Sequence, residues 1–258
     1  ITDKTILTSV LLLFVLYPGV VTSVFSLLSC VTVDDQQYLA VDLQEVCFGG
    51  RHMQYMTMLG LPQLLVYVVG LPIAGALVVG MNRAKLAHPR MKYRYAMLYL
   101  GYRDQRWWWE VVVVGRKVGM VLISVFGALL GPDLQCFLAL ALVFVSIAIH
   151  LTGRPYESEI KRHQILDRLE IISLCVSWAT FWSGLLFYLG KGSSGRAGKG
   201  GSTTRIHEDS ALLVIVSIVI LGMNGVTLSY AMWNFFVEYM EDSRQRKTRR
   251  RARINLPR

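Results

Sequence analysis

The chain has 258 residues, 53% hydrophobic and 17% charged, with a formal net charge of +10. Soluble domains carry about 25% charged residues dispersed among apolar ones, whereas here the apolar residues run in long unbroken blocks. A soluble enzyme, a disordered segment, collagen and a coiled coil are set aside on that ground, which leaves an integral membrane protein.

A helix crossing about 30 Å of hydrocarbon needs roughly 20 mostly apolar residues. Six stretches reach that length: Ile6 to Cys30, Tyr55 to Met81, Trp107 to Leu130, Leu134 to Leu151, Ile171 to Leu189 and Ala211 to Val237. None alternates with period two, so a β-barrel is not the reading. The expected fold is all-α, an integral membrane helical bundle of six transmembrane helices. A six-span region over residues 1–237 is followed by a basic juxtamembrane tail over 238–258.

Lys and Arg set the orientation. Twenty of the 27 lie at Lys4, between spans two and three, between spans four and five, and in the tail. Five lie on the opposite side: Arg51, Lys191, Arg196, Lys199 and Arg205. Both termini are therefore assigned to the cytosol of a multi-pass membrane protein. The segment Val31 to Gln54, with Asp34, Asp35, Asp42 and Glu45 against Arg51, is placed outside. No signal peptide is visible, because span one is too long and no small-residue cleavage site follows it. The sequence opens on Ile1 and reads as part of something longer. An exported segment upstream would need an odd number of crossings before a cytosolic Ile1.

Cys30 and Cys47 bracket the acidic external loop, where an oxidising compartment permits a disulfide. Such a bridge would contribute about 3 kcal/mol in the chain-entropy model; two buried thiols are the alternative. Cys136 and Cys175 fall at opposite ends of spans four and five, and no metal-ligand spacing occurs. No cofactor is expected. Gly131-Pro132-Asp133 is a tight turn that makes spans three and four a hairpin. Gly60-Leu61-Pro62 and Gly70-Leu71-Pro72 should each kink span two. Lys191 to Ser210 is a glycine- and serine-rich coil by composition.

Arg116 and Lys117 stand one to two turns inside span three. Two readings are open. Their long side chains could snorkel back to the headgroups, or they could form a buried charge cluster with Glu110 or with Glu170 at the start of span five. Glu110 and Lys117 are seven residues apart, share a helix face and could clamp a third group. Trp107, Trp108 and Trp109 look like an interfacial belt. Span six carries Gly222, Asn224, Gly225, Thr227, Ser229 and Asn234, which suit either close helix packing or the lining of a cavity. Arg246, Lys247, Arg249, Arg250, Arg251 and Arg253 form a basic run of the kind attracted to anionic inner-leaflet lipid at about 1 kcal/mol per basic residue; a topogenic anchor and a phosphoinositide contact both fit it. Nucleic-acid binding is disfavoured by the lack of interleaved aromatics. His52, His88, His150, His163 and His207 are scattered, HExxH is absent, and no enzyme is expected.

The runs LYPGVVTSVFSLLSC (Leu16 to Cys30), YLAVDLQEVC (Tyr38 to Cys47) with His52, VVGLPIAG (Val68 to Gly75) and RYAMLYLGYRDQRWWWEVVVVGRK (Arg94 to Lys117) form an ensemble. It resembles the C-terminal multi-span region of large algal and protist surface proteins with cysteine-rich, ephrin-receptor-like or EGF-like repeats. It is more distantly similar to fungal transient-receptor-potential-like and polycystin-related proteins. The resemblance implies a channel-like or sensory domain that regulates calcium or conducts cations, with Glu110, Arg116 and Lys117 as a recurring charged cluster and Cys30 and Cys47 as an external pair. It also implies an extracellular domain or partner, and leaves an oligomer open. The rival expectation is a non-conducting anchor for a large extracellular or ciliary-surface assembly, since Lys191 to Ser210 offers no filter.

Overall fold

The structure, a computed structural model, describes residues 2–86, 88–99, 101–156, 161–194 and 203–254. Helix α1 (Thr2–Ser26) leads into three antiparallel strands, β1 (Cys30–Val33), β2 (Gln36–Leu39) and β3 (Asp42–Val46). Then follow α2 (Gly50–Met81), α3 (Pro89–Tyr99), α4 (Trp109–Leu130), α5 (Pro132–Gly153), α6 (Lys161–Ser194) and α7 (Thr203–Ile254). Every helix except α3 contains a stretch long and apolar enough to cross a membrane, six in all among the described residues. The chain divides into two compact units, Ile1–His163 and Gln164–Arg258.

The small sheet is absent from the sequence reading. Span one ends at Ser26 and not at Cys30, because Cys30 opens β1. Asp34 and Asp35 both have positive φ (45° and 66°) between partners Val33 and Gln36, the two-residue turn whose twist suits a hairpin. Cys30 and Cys47 are joined in a disulfide, with Cα atoms 6.3 Å apart. His52, buried at the start of α2, finishes the closure. The Phe48 N–H donates to its Nδ1 (3.1 Å), so Nε2 carries the proton and donates to the Leu27 carbonyl (3.0 Å). One imidazole thus ties the far end of the sheet back to the end of α1.

Helix α2 answers its two prolines with π-helical turns, Met56–Gly60 and Leu64–Gly70, each just before a Leu-Pro pair. Proline has no N–H for the carbonyl four residues back, and a wider turn relieves the crowding. For Pro72 that carbonyl belongs to Val68, and it accepts instead from the Tyr17 hydroxyl of α1 at 2.8 Å. The neighbouring helix thus supplies the donor that the proline cannot. Around that bond, Tyr17, Val21, Val24, Phe25 and Val68 form a buried core flanked by Val114, Val118, Val121, Val125 and Phe126 of α4.

Helices α4 and α5 form the expected hairpin. Gly131 has φ +99°, a conformation that favours glycine. Gln135 Nε2 donates to the Ile123 and Ser124 carbonyls (3.1 and 3.3 Å) and lies over Gly127. At the other end of α5 the Trp109 ring occupies the space a Cβ on Gly153 would need, only 2.1 Å away.

In the second unit, Trp178 and Trp182 stack one turn apart on α6 (6.1 Å). Asn224 Nδ2 of α7 donates to Thr180 Oγ1 of α6 (3.3 Å) and to the Ile220 carbonyl (2.9 Å).

Gly153→Ala should therefore lower stability by about 1–3 kcal/mol, since a rigid buried indole cannot give way. Gly222→Ala, with nothing within 4 Å of the new carbon, should stay within about 0.5 kcal/mol of wild type. Thermal unfolding of both purified variants checks the contrast.

Candidate functional site

The loop before α4 and the residues after α5 are braced by backbone. The Arg103 N–H donates to the Pro155 carbonyl (2.8 Å), Arg103 Nε to the Tyr156 carbonyl (3.0 Å), and Tyr102 and Tyr156 pair as a β-bridge. Trp109 and His150, 2% and 3% exposed, meet edge to face at 6.3 Å beside that bridge. Tyr102 then donates its hydroxyl to Glu110 Oε2 (2.9 Å), a charge-assisted bond that orients the carboxylate. Helix α3 lies across the base. Arg94 of α3 makes an ion pair with Asp3 of α1. Tyr99 donates to the Leu86 carbonyl (2.9 Å), and burial pushes its phenol above the ordinary value.

These supports shape the wall of a half-open cavity of about 210 Å³ in the first unit, between α1, the end of α2, α3 and the start of α4. Phe14, Tyr17, Pro72 and Val79 represent its apolar surface; Tyr95, Trp107 and Trp108 give it an aromatic end. Trp107 is held by Gly80 on one side and by the Arg83 guanidinium, 5.4 Å above its ring, on another. Two charged side chains line the cavity, Glu110 and Lys117. The Lys117 ammonium stands 4.2 Å from the centre of the Phe14 ring. This side chain therefore turns across to α1.

Of the charge cluster expected from sequence, Glu110 and Lys117 share this cavity. Arg116 is half-buried on α4, and Glu170 lies on α6 in the second unit. On α7, Asn224 lines a smaller cavity of about 140 Å³ with Thr180 and Ser183. Thr227 and Ser229 return their hydroxyls to the Met223 and Gly225 carbonyls (both 2.8 Å), while Gly222 and Gly225 face open space. Arg246, Lys247, Arg249, Arg250, Arg251 and Arg253 continue the α7 backbone helix, and their side chains lie outside the described residues. Cys136 and Cys175 are free thiols.

Sequence reasoning missed Phe14, Tyr17, Tyr102, Trp109 and His150 as members of this region. His150 was readable in principle, as an imidazole in an apolar helix three residues before a glycine. Tyr17 was readable as a hydroxyl beside Pro18 in a span otherwise built of aliphatics.

No family model and no solved structure matches the chain. It is similar to cysteine repeat modular protein A of Toxoplasma gondii, 25% identical over 241 residues. The match covers 87% of this chain and 7% of that protein, so the chain spans a small part of the curated relative it matches.

Tyr102→Phe should cost about 1.5–3 kcal/mol, the range for a hydrogen bond to a charged group. Tyr38→Phe, whose exposed hydroxyl only reaches Gln36 two residues away, should cost little. Chemical or thermal unfolding of both variants measures the difference.

Proposed function

We propose that the chain is the membrane-embedded anchor of a larger surface protein, crossing the bilayer six times with both ends in the cytosol. The observation that carries this reading is the disulfide-closed meander between α1 and α2. A disulfide persists in an oxidising compartment, and this one lies on the side that the positive-inside rule assigns to the exterior. The meander is stapled, paired and clamped by His52, a stiff platform on which an external domain can rest. Similarity to a much longer protein named for cysteine repeats supports the same picture. On this reading the basic end of α7 holds the chain against anionic lipid of the inner leaflet, and the plasma membrane is its location.

The second reading, a channel-like or sensory domain related to transient-receptor-potential-like proteins, has one observation in its favour. Gly222, Asn224 and Ser229 of α7 lie exposed, so a further copy of the chain could bring them to a common axis. Nothing in the two cavities resembles a filter, and the anchor is the better account.

Two measurements divide these readings. The Gln36→Cys variant in intact cells should react with a membrane-impermeant maleimide, and the Gln105→Cys variant only after permeabilisation; the reverse pattern inverts the topology. Full-length protein in liposomes should pass no cations above empty vesicles, with or without tension. A flux abolished by Asn224→Leu would establish the channel instead.

A further inference from the structure

We propose that the cavity between α1, α2, α3 and α4 holds one acyl chain of a zwitterionic glycerophospholipid from the leaflet it opens on, with the lipid's ammonium at Glu110 and its phosphate and ester oxygens toward Lys117. The inference rests on the membrane reading above and is indifferent to whether the chain conducts.

The lining is almost wholly apolar, with a few oriented polar groups, the composition of a ligand site and not of a water channel. An apolar cavity of about 150 Å³ is large enough for one benzene and stays dry. A space of 210 Å³ therefore takes a length of hydrocarbon chain, while the rest of a lipid lies along the open side. In a bilayer the molecule present at high concentration beside such an opening is the lipid itself.

The order of the charges selects the headgroup. Glu110 sits in the first turn of α4, at the aqueous end, and Lys117 lies about 10 Å deeper along the helix axis. Helical side chains lean toward the helix N-terminus, so a Lys117 side chain that leaves Phe14 can reach toward the Glu110 end. A carboxylate outside and an ammonium inside is the complement of an ammonium outside and a phosphate inside. That is the sequence of charges in a choline or ethanolamine lipid, read from water to hydrocarbon. A lipid of net negative charge would bring its surplus anion against Glu110. A simple cationic amphiphile would leave Lys117 facing apolar chain.

The aromatic end agrees independently. Tyr95, Trp107 and Trp108 line the cavity together with Glu110, and aromatic faces beside a carboxylate are what attracts an alkylammonium group. Tyr102 fixes the carboxylate in place (2.9 Å). At the deeper end the Lys117 ammonium now rests on the Phe14 ring, a contact weaker than an ion pair and one that a phosphate can displace.

The test uses the full-length protein in nanodiscs of equal choline, ethanolamine and serine phospholipids, extracted into mild detergent and analysed by native mass spectrometry with headgroup identification. The inference expects one choline or ethanolamine lipid retained per chain, enriched at least fivefold over the serine lipid. Glu110→Gln and Lys117→Met should each lower that retention at least fivefold. Ala76→Phe, which fills the cavity, should abolish it, and Gly222→Ala should leave it unchanged. Free choline phosphate at millimolar concentration should not displace the lipid. If it does, the site belongs to a soluble ester and the acyl-chain assignment falls. Retained lipid that mirrors the bulk mixture, or enrichment of the serine lipid, overturns the inference on wild-type protein alone, whatever the variants do. Failure here leaves the maleimide and flux results standing, so the two readings fail separately.

Discussion

The first unit depends on the Trp109 indole lying directly on the backbone at Gly153, where a single added methyl would meet the ring. The ring lies on backbone that has no room for a Cβ, and the contact sets where α4 begins relative to the end of α5. With that point fixed, the bonds from Arg103 to Pro155 and Tyr156 brace the preceding loop. Tyr102 is then placed to orient Glu110. About two turns further on, Lys117 on the same face of α4 looks toward α1, and the cavity is what remains between them. The site is therefore a product of the hairpin's geometry and not of any local motif.

A second constraint comes from the prolines of α2. A buried carbonyl freed by a proline needs another donor. At Pro72 the donor is Tyr17, whose hydroxyl reaches the Val68 carbonyl (2.8 Å). That bond joins α1 to the most irregular part of α2 and forms the floor of the apolar core. The π-helical turns that look like defects in α2 are thus tied into the packing, and Gly70 is needed because a Cβ there would lie 2.8 Å from the Leu65 carbonyl.

Much of this was legible from residue order, and the reasons differ. The six long helices follow from length and apolarity alone, which need no tertiary information. The Gly131 turn and the Cys30–Cys47 pairing rest on local chemistry and on which side of the membrane the loop faces. The sheet escaped because strands of four or five residues carry little periodicity, and Asp34-Asp35 is a weaker hairpin signal than Asn-Gly. The cavity escaped because its walls come from four elements, and only packing brings Phe14 beneath Lys117. The seven-residue spacing on α4 puts Glu110 and Lys117 on one face, and both line the cavity. It could not tell that Tyr102 would hold one and Phe14 the other.

The anchor account is most directly tested by a cryo-EM map of the full-length protein in a lipid bilayer. The account predicts that density continues outward from the β1–β3 meander into an external domain, with α7 contacting lipid along Gly222 to Ser229. Several copies around a common axis, with Asn224, Thr227 and Ser229 facing a hydrated path, would contradict it.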